Sequence, residues 1–332
     1  MPCGNLRPAH HFGGGYSYDG ILVYDLYGPA GAQFSHGALD PQPRLITEPP
    51  CQVAIRGFNL HIFVWHYAPA GNDKFMNAIV DWDRNAPQWP AILAAAHGEP
   101  VPPALMASPL WQVYGPVLKK GGASVPFVIG QIGQSLDGRI ATPSGHSHYI
   151  NGPAAIVHLH RLRALVDAVI VGVSTAALDD PQLNVRHVEG PQPARVVIDP
   201  NGRLPQTAHC FRDDGVRRVV IQTVDTARPP GVEIVKLETG ASGFKPVDVL
   251  LALKEIGFNR VLVEGGAYTL SRFVTAGYIH RLHILVAPLI IGSGPTGLNL
   301  PPIKKLEAAK RPPTQVFQMP SGDVLFDCAM DS

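Results

Sequence analysis

From residue 126 onward the chain repeats one alternation, a short β-branched apolar run followed by a stretch long enough for an amphipathic helix. Strand-like runs stand at 126–132, 168–173, 194–198, 216–222, 260–263 and 281–287. Short, nearly continuous apolar runs bounded by turn residues suit strands covered on both faces, as in a parallel sheet. Between them, 153–166 carries Pro153 in its first turn, Asn151 as a candidate cap and an apolar stripe of Ala155, Leu159, Leu162 and Val166. Further helices are expected at 246–256 and at 266–276, the latter closed by Gly277. Two last runs, 314–319 and 323–329, are separated by Ser321-Gly322, which suits a hairpin. The pattern predicts an α/β fold with a mainly parallel sheet and antiparallel edges.

Before residue 122 this order is absent. Gly13-Gly14-Gly15, Pro49-Pro50, Pro69, Pro87, Pro90, Pro100 and Pro102-Pro103 interrupt every periodic stretch. The run 53–67 has a β-like composition, Trp89 to Ala96 reads as one or two helical turns, and Lys119-Lys120-Gly121-Gly122 reads as a linker. The expected division is therefore 1–122, a partly irregular extension of unassigned fold, and 123–332, a regular α/β domain.

Charge and cysteine usage exclude several functions. With 27 basic against 26 acidic residues, the chain lacks the basic footprint of a nucleic-acid or acidic-membrane binder. Cys3, Cys51, Cys210 and Cys328 match no zinc spacing and no disulfide framework, and no apolar run is long enough to span a bilayer. A cytoplasmic protein acting on a small molecule, with no nucleic-acid or membrane partner and no metal, is the expectation. His146, His148, His158 and His160 form no ligand set, and neither a GxSxG elbow nor a zinc-deaminase signature is present.

Three constellations carry possible chemistry. In Val261-Leu262-Val263-Glu264-Gly265-Gly266 a strand passes through two glycines into a helix. Such a corner lets backbone approach a phosphate at a helix N-terminus, although a plain tight turn has the same appearance and GxGxxG is absent. Glu264 ends its strand, where open parallel sheets bind ligands. The second constellation, Ser135 to Ala141 with Ser144 to Tyr149, is a turn and a polar loop whose Tyr149 suits stacking on a base or nicotinamide ring. The third runs from Gly172 to Thr175 and on through Leu178 to Arg186, read as a loop of carboxylates and an arginine. Arg186, with Arg163 from the preceding helix, offers guanidinium forks for a phosphate; a solvated surface cation is the plain alternative for each.

Taken in order, SLDGRIAT, SGHSHYING, HLHRLRALVDAVIVGVST, LDDPQLNVR, ARVVIDPNGRLP and VLVEGG resemble the C-terminal reductase domain of the bifunctional riboflavin-biosynthesis deaminase/reductase and its stand-alone relatives. The resemblance covers about residues 124–329. It implies a dihydrofolate-reductase-like mixed sheet with helices on both faces, NADPH as cofactor and a homodimer. The implied reaction reduces the ribosyl chain of 5-amino-6-(5-phosphoribosylamino)uracil to ribityl. By the same resemblance, Tyr149, Thr175 and Asp179 contact NADPH, and Pro200 touches its nucleotide end. Gly265, Gly266, Ala267, Tyr268, Thr269, Leu270, Ser271 and Arg272 form the pyrophosphate turn and helix start. Ser147, Arg163, Leu183 and Arg186 hold the ribose 5-phosphate, and Glu264 contacts the substrate. Asp179 is the nearest candidate for a proton donor.

Two departures stand out. No zinc-deaminase signature precedes the matched region, and Gln131 stands where bacterial members commonly carry lysine. Glutamine hydrogen-bonds but brings no cation. Two rivals stay open on this ground, a reductase of another heterocycle such as a dihydropterin and a nucleotide-binding protein without catalysis.

Overall fold

The computed structural model describes residues 80–119, 121–148, 150–240 and 243–330. The β-like run 53–67 and Tyr149 lie outside them. Three short helices come first, α1 (Trp89–Ala96), α2 (Pro103–Met106) and α3 (Pro109–Tyr114). The alternating region follows as β1 (Phe127–Ser135), α4 (Pro153–Ala164), β2 (Ala168–Gly172), α5 (Val173–Asp179), β3 (Ala194–Ile198), β4 (Arg218–Gln222) and β5 (Val232–Lys236). It closes with α6 (Pro246–Glu255), β6 (Arg260–Val263), α7 (Ala267–Thr275), β7 (Arg281–Ala287), β8 (Thr314–Gln318) and β9 (Val324–Ala329).

These strands form one sheet in the order β5-β4-β3-β2-β6-β1-β7-β9-β8. Pairing is parallel from β5 across to β7, and antiparallel from β7 through β9 to β8. The expected mixed sheet with its C-terminal hairpin is what forms, the turn being carried by Gly322 at φ +87°. One face packs against α4 and α5, the other against Val249, Leu250 and Leu253 of α6 and Leu270, Phe273 and Val274 of α7. Central strands read as unbroken apolar runs because both faces are covered.

Within the alternating region two elements lie where the sequence suggested none. The segment after β2, expected as a loop, is the helix α5, entered directly from Gly172 as its N-cap. Its hydroxyl-rich start imitates a turn. The strand β5 is an edge strand with only partial burial, so its sequence lacks a strong apolar signature.

Residues 80–118, expected to belong to a separate extension ending at 122, share the core of the sheet. Trp82, Trp89, Ile92, Leu110, Val113 and Tyr114 are buried in one cluster with Leu162, Leu285 and Leu325. The Trp82 indole donates to the Gln318 carbonyl at 2.8 Å and that of Trp89 to Glu189 O at 2.8 Å. Arg161 is fully buried beneath this layer, donating to the carbonyls of Asp81 and Asp83 and lying over the Trp89 and Tyr114 rings. Two donors and two aromatic rings so placed offset part of the cost of burying the charge, while the Arg161 Nε has no hydrogen-bond partner among the described residues. His158 of α4 is buried against this layer, its Nδ1 2.9 Å from the Tyr114 hydroxyl, whereas His160, pointing elsewhere, is buried against Arg186 and His187. The sheet covers one side of the helix and the 80–118 layer much of the other. Asn151 does not cap α4. Its amide donates to Asp323 Oδ1 at 2.9 Å, and the other Asp323 oxygen accepts the Gly152 N–H at 3.0 Å, doing the cap's work from the β8–β9 turn.

Candidate active site

The chain moves across the sheet from β2 to β5, then returns to insert β6 between β2 and β1 and to add β7 beyond β1. Ligand sites in open parallel sheets form beyond the C-terminal strand ends where such a reversal occurs. Two clefts lie there, and both are lined by Thr175 and Gly266.

The first cleft, of about 360 Å³, is bounded by β1, α4 and the 178–186 segment, and its lining includes Gln131, Ser147, Asn151, Thr175, Asp179, Leu183 and Glu264. Glu264 on its wall belongs to a buried ion pair. Arg163 forks onto Glu264, Nε to Oε1 at 2.8 Å and an NH2 proton to Oε2 at 2.7 Å, with both side chains 7% exposed. A third donor of Arg163 reaches the Asn184 carbonyl at 3.0 Å, while the Asn184 side-chain oxygen accepts from Arg186 at 2.8 Å. Asn184 thus joins the two arginines. Three of the five Arg163 N–H groups are engaged within the protein, so this residue fixes Glu264 from behind. Arg186 is exposed, and its backbone N–H donates to His160 Nδ1 at 3.1 Å.

The field around this pair is positive. Burial lowers the His160 pKa from 6.5 to about 3, and the neighbouring Arg163 and Arg186 cations push the same way. His187 is also lowered, by desolvation and then by Arg186, Arg84 and Arg163. Such a field suits an anion. Asp179 has its pKa raised by partial burial, with the nearby His148 opposing. The backbone of this segment is strained at Asp180 (φ 39°) and at buried Leu183 (φ 52°). Non-glycine residues in that region cost on the order of 1–3 kcal/mol and cluster where geometry is held for a purpose. Asp180 is held by a 2.7 Å bond from the His209 N–H.

The second cleft, of about 550 Å³, lies over the ends of β2 and β3 and the start of α7, and its lining includes Thr175, Pro200, Gly266, Tyr268, Thr269 and Arg272. Gly265 (φ +72°) and Gly266 (φ +31°) turn the chain between β6 and α7, and a Cβ on either would meet Thr175 at 2.5 or 2.7 Å. No side chain caps α7. The first N–H groups of a helix have no intrahelical partner, so this corner offers donors at a place kept open by two glycines. A dinucleotide pyrophosphate fits that cradle.

Of the residues expected at the site, Ser147, Asp179, Leu183, Glu264 and Gly265 line the first cleft, Pro200, Tyr268, Thr269 and Arg272 the second, and Thr175 and Gly266 both. Arg163 and Arg186 line neither, the former standing behind Glu264. Ala267, at the first position of α7, lines neither cleft. Leu270 and Ser271 face away. The Leu270 side chain is in the core against the space beside Gly130, and the Ser271 hydroxyl accepts the Asn299 N–H at 2.8 Å. A seven-residue run along a helix cannot present every side chain to one ligand. Asn151 lines the first cleft and Asn201 and Arg203 the second, although motif reading assigned them no ligand contact; Gln131, at the position where bacterial members commonly carry lysine, also lines the first.

Residues 126–317 match the model of the RibD C-terminal domain. The chain belongs to that family. Among curated relatives, it is 33% identical over 175 residues to the riboflavin biosynthesis protein RibD of Aquifex aeolicus, covering 51% of this chain and 48% of that protein. It is also 33% identical over 175 residues to the 2,5-diamino-6-ribosylamino-4(3H)-pyrimidinone 5′-phosphate reductase of Methanothermobacter thermautotrophicus, covering 50% of this chain and 80% of that one. The chain spans about half the length of the RibD relative from Aquifex. Family members of known structure include the deaminase/reductase of Thermotoga maritima (TM-score 0.54, 26% identity, 62% of this chain and 56% of that one). Another is RibD of Acinetobacter baumannii (TM-score 0.54, 29% identity, 68% and 62%). Among the described residues no helix is long and apolar enough to cross a membrane.

Proposed function

We propose that this chain is an NADPH-dependent reductase whose substrate is a phosphorylated ribosylaminopyrimidine, 5-amino-6-(5-phosphoribosylamino)uracil in the first instance. The observation that carries the reading is the junction of the two clefts at Thr175 and Gly266, which sets a dinucleotide-sized groove end to end with a pocket beneath a positive field. NADPH would lie on the Gly265-Gly266 corner and along the start of α7, and supplies the hydride. Arg186 receives the substrate phosphate. Glu264, oriented by Arg163, accepts hydrogen bonds from the pyrimidine or its amine, and Ser147 and Asn151 hold the sugar. Asp179, whose raised pKa keeps a proton available to higher pH than an ordinary carboxyl, delivers that proton to the nitrogen or oxygen beside the carbon that takes the hydride. Holding donor and acceptor in near-attack geometry contributes on the order of 7–11 kcal/mol to such a reaction. A homodimer agrees with the exposed apolar residues Ile290, Ile303 and Leu306 of one segment.

Gln131 on the wall of the first cleft supports a second reading, a reductase of a heterocycle such as a dihydropterin. The two separate on the phosphate. Purified protein is expected to oxidise NADPH with the 5′-phosphorylated substrate and not with its dephosphorylated form. Arg186→Ala should raise KM for the phosphorylated substrate about 10- to 100-fold, the worth of a charged hydrogen bond. Equal turnover of both forms, or an unchanged KM in the variant, removes the phosphate site from the account.

A further inference from the structure

One cation of the positive field beside the first cleft comes from outside residues 126–317. Arg84 stands at the tip of the Asp83–Ala86 turn, which the Ala86 N–H closes on the Asp83 carbonyl at 3.1 Å. The turn is braced from two sides. Arg161 of α4 donates to the carbonyls of Asp81 at 3.0 Å and Asp83 at 2.5 Å, and the Trp89 indole reaches the Glu189 carbonyl at 2.8 Å. Residues 83–89 therefore run beside 187–190, and Leu93 of α1 continues the contact, its Cδ2 3.4 Å from where a Cβ on Gly190 would stand.

What the turn presents is an unmatched cation. Arg84 is exposed, and its guanidinium forms no hydrogen bond or ion pair among the described residues. Of the acidic groups beside it, Asp81 and Asp83 accept the N–H groups of Asp83 and Asn85, and exposed Glu189 pairs with no cation among the described residues. Next to the turn lies His187, its ring edge-on to His160 at 4.6 Å. Desolvation, then the charges of Arg186 and Arg84, hold its pKa down and keep the imidazole neutral. Arg186 spends one N–H on the Asn184 side chain, and Glu264, the carboxylate of this site, is already matched by Arg163. Two cations around a neutral imidazole repel one another, and an anion held between them relieves that cost. A terminal phosphate carries a charge of about −1.5 to −2 and three acceptor oxygens, enough for two guanidinium forks. The brace means that little backbone must be ordered when it binds.

We propose that Arg84 is a second binding residue for the terminal phosphate of the substrate, held together with Arg186, so that the 80–118 layer completes the site as well as covering the fold. The inference rests on the phosphorylated-substrate reading above and adds to it a residue from outside the matched region. Proton NMR of the full chain, with the His187 ring signal assigned by its loss in His187→Asn, tests it without turnover. Ribose 5-phosphate should shift that signal and ribose should not. In Arg84→Ala the half-saturating concentration of ribose 5-phosphate should rise about 10-fold, the worth of a hydrogen bond to a charged group, and KM for the phosphorylated substrate should rise by the same factor. The loss should persist at about 0.5 M salt, where a field acting only from a distance is screened. Arg84→Lys should fall between, and the thermal midpoint should not move, since the side chain is exposed. Wild-type affinity in Arg84→Ala, or a loss confined to low salt, overturns the assignment while leaving Arg186 and the phosphorylated substrate in place. No preference of the wild-type protein for ribose 5-phosphate over ribose removes the phosphate reading itself, and the assignment with it.

Discussion

The two clefts that meet at Gly266 are made of different materials. The first depends on side chains brought together from afar. Arg163 and Glu264 are 101 residues apart, and Asn151 reaches Asp323 across 172. The second depends mostly on local backbone, a diglycine corner, a helix start and the Asp199–Leu204 turn. One is therefore sensitive to the loss of a partner charge, the other to the addition of a single carbon. Substitutions chosen on either side should separate these sensitivities.

The largest effect is expected from Glu264→Ala. Removing one partner of a buried ion pair strands the other, a loss of about 3–5 kcal/mol. Urea unfolding should show a destabilisation of that size, with Glu264→Gln losing less because it still accepts from the guanidinium. A change below about 1 kcal/mol would mean that water reaches Arg163 freely, as at a surface pair. The contrasting variant is Gly265→Ala. Its φ of +72° and a Cβ only 2.5 Å from the Thr175 methyl require strain or displacement. Strain of about 1–3 kcal/mol should weaken NADPH binding on the order of 10- to 100-fold. Phosphate dependence in the first cleft should survive. If Gly265→Ala binds NADPH normally, the cofactor does not use this corner.

The smallest effect concerns acid. His160 titrates at about 3 in the folded protein against an ordinary 6.5, chiefly through burial, and buried His158 is shifted the same way. Between those values the unfolded chain binds more protons, so stability rises with pH there and falls as pH drops through about 6.5. Each such histidine contributes at most about 1.4 kcal/mol per pH unit below that point. Urea midpoints at about pH 7.5 and 5.5 should differ in this direction, and His160→Asn should reduce the slope. An unchanged slope would show that His160 is reached by solvent and keeps its ordinary titration.

The contrast between the clefts also accounts for what could be read in advance. Strand runs, the corner at Gly265-Gly266 and the hairpin at Gly322 were legible because local apolar pattern and turn chemistry report them directly. Helix α5 was not, since Ser174 and Thr175 look like loop residues until α5 packs Val173 and Ala176 into the core. Leu270 and Ser271 were assigned to the ligand by their place in a motif, whereas the phase of α7 turns them inward. Residues 80–118 looked irregular because their short helices are stabilised by the face they cover rather than by their own periodicity.

The amino-acid order by itself determined the α/β alternation, the family to which the chain belongs and the backbone of the diglycine corner. All three are encoded within a few neighbouring residues or in motif order. Only the tertiary structure decided that Arg163 serves Glu264, that Asp323 secures the start of α4, and that Arg161 is spent on two backbone carbonyls while Arg84 is left open beside His187. Whether a charge is spent on a partner or left for a ligand depends on what lies opposite it in space, and sequence distance carries no record of that.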